Sequence, residues 1–525
     1  MKYTNPILSG FHPDPSICRV GNDFYLVTSS FEYFPGIPLF HSTDLVHWEQ
    51  INHILDRDSQ FTLSTEAPNC LGIYAPTIRY HEGIYYCIVT NVGGPKGGNF
   101  FVYTTNPYDT WSEPVMLPFD GIDPSLFFDD DGKVYYSGTD KGVFIAELTL
   151  SRSTSADGRV QISCDHVGQQ IYAWNGSGGN NPEGPHLYKI NGMYYLMIAE
   201  GGTEYCHMVT IARSTSVYGP YEDCPHNPVL TNRSTELPIK AVGHADLIED
   251  QNGNWWAVCL GIRPLGYPFR HNLGRETMLV PVAWEHGWPV MGMNGNGHVD
   301  VDVDVEIEIE TSLLPCTENG PNAPFESSRY IPGSSMVDTF DTASMHPSWN
   351  TIYNPDYALY EFTKNGLILH GNENDLASSN VKSLLCRRQE HFDFTARLTL
   401  SMEMIPENGE AGLAIYMNNR HHYEIAMSMI NQKRCLIVRR QIGSLKAVEN
   451  IVEYDSDTVI LQLTGSREEY AFAYCPSGQE PPVTIGSGEA QYLTTEAGGC
   501  FTGNYIAIYA ANTDAVCKKF VYEVE

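Results

Sequence analysis

The feature that most constrains the fold is a turn followed by a pair of aromatic residues, which recurs five times in the first half of the chain. The second aromatic of each pair lies at position 25, 86, 136, 195 or 256, so successive copies are 61, 50, 59 and 61 residues apart. Short runs rich in Tyr, Val, Ile and Phe surround each copy and indicate strands. A multi-strand repeat of this length predicts a β-propeller with five four-stranded blades. A long β-sandwich or a β-helix is the alternative.

A second element lies eleven to thirteen residues before the second aromatic of each pair. The five positions are Asp14, Ala75, Asp123, Glu183 and His244. Equivalent positions of successive blades surround the axis of a propeller, so residues far apart in sequence meet at one place. The sequence therefore predicts three carboxylates and a histidine around the central axis.

Crowded carboxylates repel one another, which shifts their pKa values, and proteins tolerate such clusters mostly at working sites. Two carboxylates on either side of a glycosidic bond are the usual machinery of glycoside hydrolysis: one protonates the leaving oxygen, and the other activates water or attacks carbon. A third carboxylate can hold the pKa of the acid high. The alternatives are ordinary Asp-Pro turns, a cation site such as one for Ca²⁺, and a propeller that binds sugar without cleaving it.

The charge of the chain narrows the class of partner. With 31 basic and 63 acidic residues the net charge is −32, which repels both phosphate backbones and anionic membrane surfaces. The sequence contains no run of 18 apolar residues, which is about the length that would predict a membrane-spanning helix. We therefore expect a neutral, small oligosaccharide as partner, and neither nucleic acid nor a membrane.

The cysteines and the N-terminus bear on the compartment. The 13 cysteines form no Cys-x-x-Cys pair, and scattered single cysteines favour a reducing environment. The first residues, MKYTNPILSG, lack the apolar stretch of a secretory signal. We expect a cytoplasmic protein.

The repeat ends near residue 300 and a second domain follows. Residues 301–310 alternate strictly between apolar and acidic side chains, which predicts a strand. Residues 311–335 are rich in Pro, Ser, Asn and Gly and predict a linker. Short alternating strands then continue without the repeat, which predicts a β-sandwich. The predicted domains are a propeller over 1–310 and a sandwich over 336–525, joined by that linker.

Several motifs carry a resemblance to a known family. They are FHPDPSICRV, IYAPTIRY, GIDPSLFFDDDGKVYY, NNPEGPHLYKINGMYYLMIAEGGTEY and LGRETMLVPV. Over nearly its whole length the chain resembles glycoside hydrolase family 43, and within it the two-domain β-xylosidases. The resemblance implies an all-β protein, a five-bladed propeller followed by a concanavalin-like β-sandwich, and inversion of configuration at the anomeric carbon.

The resemblance also implies roles for the three carboxylates. Asp14 matches the general base that activates water, Glu183 matches the general acid, and Asp123 matches the residue that tunes and orients the acid. An inverting pair leaves room for a water molecule, so the carboxyl groups of Asp14 and Glu183 are predicted to lie roughly 6.5–9.5 Å apart.

Further site residues follow from the same resemblance. The matching substrate-pocket residues are Phe31, Thr203, His244 and Arg275. Tyr74 stands where the family commonly has Trp, which leaves the role of that position open. Phe501 matches an aromatic residue that the sandwich lends to the pocket mouth. No cofactor is required, although relatives allow a structural Ca²⁺ near His244.

The activity expected from the resemblance is exo-acting release of xylose from the non-reducing ends of β-1,4-xylo-oligosaccharides. Xylopyranose and arabinofuranose present similar hydroxyls to one pocket, so an α-L-arabinofuranosidase or a dual enzyme is the alternative. Relatives often assemble, so a dimer or tetramer is expected.

Overall fold

The computed structural model describes residues 1–66, 69–305, 330–341, 345–476, 481–499 and 501–524. Almost all regular structure in these ranges is β-strand. The helices described are short: Met293–Gly295, Tyr357–Leu359 and Ala490–Tyr492 are 3₁₀ turns, and Thr495–Gly498 is an α-helical turn. In the described ranges none is long and apolar enough to cross a membrane.

Five antiparallel sheets account for the first half of the chain, and each is built from one contiguous segment. Their strands are Ser16–Val20, Asp23–Val27, Gly36–Ser42 and Glu49–Leu55; Gly72–Ile73, Thr77–His81, Ile84–Val92, Gly98–Thr104 and Val115–Met116; Ile122–Phe128, Val134–Thr139, Val143–Thr154, Val160–Val167 and Ile171–Tyr172; Glu183–Ile190, Met193–Glu200, Met208–Ser214 and Glu222–Asp223; Lys240–Glu249, Trp255–Ile262, Glu276–Glu285 and Trp288–Met291. The innermost strand of each sheet contacts that of the next, and the fifth contacts the first. The ring closes, so the predicted propeller is confirmed, and its five sheets fit the predicted number of blades.

A separate two-stranded sheet joins the two ends of the ring. Lys2–Thr4 pairs antiparallel with Asp302–Asp304, and the Asn5 side chain donates to the backbone oxygens of Leu279 and Asp300, both at 3.0 Å. The strand predicted over residues 301–310 is thus present at its start, whereas residues 306–310 lie outside the described ranges.

The blade topology places the predicted site residues at one end of the propeller. In an antiparallel blade, the start of the first strand and the loop between the second and third strands lie at the same end. Asp14 precedes a first strand, whereas Phe31, Thr203 and Arg275 lie between second and third strands. These four residues, which are far apart in the sequence, therefore lie at the same end of the propeller.

The C-terminal half is a β-sandwich, as predicted. One sheet contains, in spatial order, Ser383–Arg388, Tyr505–Ala511, Glu410–Asn418, His421–Ile430, Lys433–Ile442 and Leu445–Glu453. The other contains Tyr360–Thr363, Gly366–His370, Asp514–Glu523, Phe394–Ser401, Thr458–Gly465, Glu469–Cys475 and Val483–Glu489, with Met336–Asp338 beside Asp514–Glu523. Buried apolar side chains from both sheets form the core between them.

The sandwich packs directly on the propeller. Thr351–Ile352 pairs with Tyr33–Phe34 of the first blade, and the rings of Tyr33 and Tyr505 stack with centroids 3.7 Å apart. Tyr330, inside the predicted linker, is buried and bridges Gln50. The linker predicted over 311–335 stays a prediction: its C-terminal end packs against the first blade at Tyr330, and residues 311–329 lie outside the described ranges.

The cysteines differ in one respect from the expectation of scattered single thiols. Ten of the described cysteines are free, whereas Cys70 is disulfide-bonded. Cys70 lies in the loop that leads to Tyr74 and thus close to the end of the propeller that collects the predicted site residues.

Candidate active site

The backbone at the blade entrances is strained in the same way in three blades. Asp14, Asp123 and His244 have φ angles of 53°, 54° and 49°, a left-handed conformation that costs a non-glycine residue about 1–3 kcal/mol. Strain of this kind persists only where the surrounding structure over-determines it, and it clusters at functional sites. The three side chains are therefore held in defined directions toward the axis.

Blade four departs from the predicted alignment by one residue. Strand pairing breaks after Ile122 in blade three and after Glu183 in blade four. The left-handed residue that follows is Asp123 in one and Gly184 (φ 59°) in the other. The equivalence predicted between Glu183 and Asp123 is therefore wrong: Glu183 corresponds to Ile122, and its side chain enters the site from the preceding position.

Gly184 is required at its position for two reasons. Its φ is positive, and a Cβ atom there would lie 2.9 Å from Cε1 of His244. Its N–H donates to Oδ2 of Asp123 at 3.1 Å. Gly184 thus determines how closely His244 of blade five approaches Glu183 and Asp123.

All nine predicted site residues line one cavity. The lining consists of Asp14, Phe31, Tyr74, Ala75, Ile122, Asp123, Glu183, Thr203, His244, Arg275 and Phe501. Residues separated by almost 490 positions are thereby brought together.

Asp14 is buried and accepts two hydrogen bonds, from Ser29 Oγ at 2.5 Å and from Arg275 Nη1 at 2.7 Å. Burial alone would raise the pKa of Asp14, but the charge of Arg275, the nearby His244 and the Ser29 hydrogen bond together lower it below its ordinary value. Asp14 is therefore ionised throughout the neutral range.

Glu183 and Asp123 respond to burial in the opposite sense. Burial and the negative charge of Asp14 raise the pKa of Glu183 to about 7. Burial and the charges of Glu183 and Asp14 also raise the pKa of Asp123 well above its ordinary value. The two groups titrate as a pair that retains a proton near neutral pH.

Arg275 is anchored at one end of its guanidinium and free at the other. Nη1 donates to Asp14 and, at 3.3 Å, to Thr203 Oγ1. Its Nε and Nη2 are buried and find no hydrogen-bond partner among the described residues. An unpaired buried donor raises the free energy of the folded protein. These two atoms are therefore available to donate hydrogen bonds to acceptor groups of a bound ligand.

His244 is held neutral beside Asp14. Burial is the main cause that lowers its pKa, and Arg275 adds to it against the charge of Asp14. Behind it lies His207, fully buried, whose ring occupies the space that a side chain at position 243 would fill. No pattern in the sequence distinguished His207 from an ordinary core residue.

The calcium ion expected near His244 stays a prediction. Asp14 Oδ1 lies 3.9 Å from His244 Nδ1 and is paired with Arg275. No group of three or more His, Cys, Asp or Glu side chains in the described part of the chain is arranged to hold a metal ion.

Three aromatic rings from both domains form the cavity mouth. The centroid of Phe31 lies 5.0 Å from that of Tyr74 and 5.7 Å from that of Phe501. Arg275 stacks over Phe31 and Phe501 at 5.4 and 5.8 Å. The sandwich therefore contributes Phe501 to the cavity, as the resemblance implied.

A buried carboxylate that sequence reasoning missed supports this mouth. Glu32 accepts a hydrogen bond from the N–H of Asn69 at 3.0 Å, and the Asn69 carbonyl accepts from the Phe501 N–H at 3.0 Å. Burial raises the pKa of Glu32 to about 8. Glu32 connects Phe31, its neighbour in sequence, to the segment that carries Phe501.

A second ring of polar residues, also missed, lies one layer beneath the carboxylates. Asp246 in blade five accepts hydrogen bonds from Ser16 in blade one at 2.7 Å, from Arg79 in blade two at 2.7 and 3.1 Å, and from Tyr188 in blade four at 2.7 Å. Although burial would raise the pKa of Asp246, the charges of Arg79 and His186 lower it. Asp246 thus joins four blades directly below the three carboxylates of the cavity.

Comparison with known proteins decides the family. The model of the glycosyl hydrolases family 43 matches residues 3–289, more than half of the chain. The chain belongs to glycoside hydrolase family 43. A second model, the beta xylosidase C-terminal concanavalin A-like domain, matches residues 337–522 of this family 43 hydrolase.

Relatives of this family 43 hydrolase extend over its whole length. A non-reducing end alpha-L-arabinofuranosidase of Bacteroides ovatus is 38% identical, covering 97% of this chain and 91% of that protein. A xylosidase/arabinosidase of Butyrivibrio fibrisolvens is 37% identical over 99% of both chains. A solved structure, Bacteroides ovatus xyloglucan PUL GH43B, has a TM-score of 0.87 and 35% identity over 100% of both chains.

Proposed function

We propose that this family 43 hydrolase is an exo-acting, inverting β-xylosidase that removes xylose from the non-reducing ends of β-1,4-xylo-oligosaccharides. The observation that carries the proposal is the opposite pKa shift of two carboxyl groups in one cavity: lowered at Asp14 and raised at Glu183. Environments that push two pKa values apart assign the base and the acid.

In the proposed reaction Asp14, ionised, removes a proton from a water molecule as that water attacks the anomeric carbon. Glu183 gives its proton to the leaving glycosidic oxygen. We assign the transferred proton of the pair to Glu183; the Gly184 N–H favours the charged form of Asp123, against the burial and the charges of Glu183 and Asp14 that raise its pKa. Arg275 holds Asp14 in place and offers its unpaired Nε and Nη2 to sugar hydroxyls. The scheme needs no cofactor.

The exo mode is supported by the shape of the cavity. Phe31, Tyr74 and Phe501 line it with aromatic rings from both domains. A cavity of this kind accepts the end of a chain rather than its middle, so single terminal sugars are released.

A second candidate activity is α-L-arabinofuranosidase, alone or with xylosidase activity. The observation in its favour is the relative of Bacteroides ovatus, whose name states that activity. The name of the C-terminal domain model supports xylose instead. Initial rates on p-nitrophenyl β-D-xylopyranoside and p-nitrophenyl α-L-arabinofuranoside test the choice. A higher kcat/KM on the xyloside supports the proposal, and a higher value on the arabinofuranoside supports the second candidate.

The pH dependence of kcat/KM follows from the two shifts. Because the acid must be protonated, activity is expected to fall as pH rises through about 7, the pKa of Glu183, by about tenfold per pH unit. Because the base must be ionised and the pKa of Asp14 is lowered below its ordinary value, activity on the acidic side is expected to fall only at pH values below the usual range of an aspartate. Asp123→Asn should move the basic limb to lower pH, since one negative charge beside Glu183 is removed. An unmoved basic limb in that variant contradicts the role given to Asp123.

The aromatic mouth is tested by Phe501→Ala. Loss of its contacts with Phe31 and Arg275 is expected to lower kcat/KM on xylobiose and xylotriose by about 3- to 10-fold, with the melting temperature preserved. Tyr357→Ala is a matched control, because Tyr357 is an exposed aromatic of the same domain. Unchanged kinetics of Phe501→Ala on both sugars would exclude a role for the sandwich in the site.

A further inference from the structure

Three aromatic side chains form a continuous group on the surface of the propeller. The rings of Tyr205 and Phe269 stack with centroids 5.7 Å apart, and Tyr267 meets Phe269 edge-on at 6.1 Å. We name these three residues the outer platform. Lys240 Nζ lies 5.1 Å from the Phe269 ring centre and donates to the Thr235 carbonyl, which supports the ring from one side.

The outer platform is unusually accessible for aromatic residues. Tyr267 is 92% exposed and Phe269 is 43% exposed, and Tyr205 is half-buried. A single exposed aromatic side chain needs no explanation, but a contiguous apolar group with a polar rim marks a binding surface. The polar rim here includes Glu204, which is exposed.

The position of the outer platform relates it to the cavity. Its residues lie in the loops between the second and third strands of blades four and five, at the same end of the propeller as Asp14. The first of these loops also carries Thr203, a cavity residue two positions before Tyr205, so their Cα atoms are at most about 7 Å apart. The second loop ends at Arg275.

The sandwich segment that carries Phe501 fixes both loops. The Tyr205 hydroxyl donates to Glu496 Oε1 at 3.1 Å, and the N–H of His271 donates to Glu496 Oε2 at 2.9 Å. The Thr495 N–H donates in turn to the His271 carbonyl at 3.0 Å. The outer platform therefore lies beside Thr495–Gly498, the sandwich segment that precedes Phe501 in the chain.

We propose that the outer platform binds the sugar rings on the reducing-end side of the substrate, beyond the bond that is cleaved. This inference rests on the proposed function, since it assigns the part of the oligosaccharide that extends out of the mouth. The C–H faces of a pyranose ring are apolar and pack on aromatic faces, and a neutral sugar meets no repulsion from a chain of net charge −32. The ligand class is a neutral β-1,4-linked pentopyranoside chain of three or more units.

The experiment compares kcat/KM on xylobiose and xylopentaose in the wild type and in Tyr267→Ala/Phe269→Ala. The double variant is expected to lose about 5- to 20-fold on xylopentaose and less than about twofold on xylobiose, whose two rings end at the mouth. Tyr267→Ala alone is the second variant, because a side chain exposed to this extent does not support folding; it should give a smaller loss of the same kind. Tyr172→Ala, an exposed aromatic in blade three, is the matched control and should change neither rate.

Binding separates this inference from the proposed activity. Calorimetric titration of Asp14→Asn with xylobiose and xylopentaose measures affinity without turnover. If xylopentaose binds more tightly than xylobiose, and this difference disappears when Tyr267 and Phe269 are also replaced by Ala, the role of the outer platform is supported. This result would hold even if the enzyme preferred to cleave arabinose. Equal affinity for the two sugars, or an unchanged xylopentaose rate in the double variant, overturns it. Sedimentation gives a further outcome. If the double variant forms a smaller assembly than the wild type while its affinity for sugar is unchanged, the outer platform is a contact with a second copy of this chain, and the inference is overturned.

Discussion

Replacing Asp14 with Asn is expected to lower kcat on xylobiose by about 10²–10⁴-fold. The amide preserves the shape of the side chain and can still meet Ser29 and Arg275, but it cannot take a proton from the attacking water. The strained backbone at this position, with φ at 53°, and the two hydrogen bonds at 2.5 and 2.7 Å hold the carboxylate in one direction. This rigidity matters because misplacement of a reacting group by about 1 Å can cost on the order of 10²-fold in rate.

The control for this variant is Glu468→Gln, which removes an exposed carboxylate of the sandwich. Its rate should stay within about twofold of the wild type. Circular dichroism melting curves of both variants confirm that the fold is retained. A well-folded Asp14→Asn protein that keeps more than a tenth of wild-type kcat would remove Asp14 from the role of base.

Replacing Glu183 with Gln should produce a loss that depends on the leaving group. On xylobiose, whose sugar alkoxide leaves poorly, kcat is expected to fall by about 10²–10⁴-fold. On 2,4-dinitrophenyl β-D-xyloside the leaving group departs without a proton, so the loss should be much smaller. The high pKa of Glu183, about 7, is what allows the wild-type group to carry the proton at neutral pH.

The ratio of the two losses separates an acid from a merely structural residue. A residue that only shapes the cavity would affect both substrates alike. Equal losses for Glu183→Gln on xylobiose and on the dinitrophenyl xyloside would therefore contradict the assignment of the acid. Asp14→Asn is the internal comparison, since loss of the base should slow both substrates by a similar factor.

The propeller and most of its site could be predicted because the determinants are local and repeated. Each blade carries its own turn, aromatic pair and entrance, so the spacing between copies specifies the ring. Once the ring is known, Asp14, Asp123 and His244 must meet at the axis. Phe501 is different: no local pattern links position 501 to the propeller, and only the resemblance predicted its place.

The one-residue offset at blade four escaped prediction because a bulge determines it. The residues compared were the acidic ones, which placed Glu183 opposite Asp123. The prolines that follow the entrances at 124 and 185 would have aligned Gly184 with Asp123 instead. Glycine, which adopts positive φ without strain, is the signal that was overlooked.

The supporting residues could not be predicted from any pattern. Asp246 and Glu32 acquire their partners only in the folded ring: Asp246 meets Arg79 across 167 positions, and Glu32 meets Asn69 across 37. A buried carboxylate of this kind looks in the sequence like any surface acid. The same holds for Cys70, whose disulfide bond depends on how the chain folds.

The central claim is that Asp14 and Glu183 act on opposite sides of one glycosidic bond with a water molecule between them. Proton NMR of the first product formed from xylobiose, recorded before mutarotation, measures this most directly. The account predicts that the xylose released from the non-reducing end appears first as the α-anomer. Initial appearance of the β-anomer would mean that configuration is retained and would contradict the account.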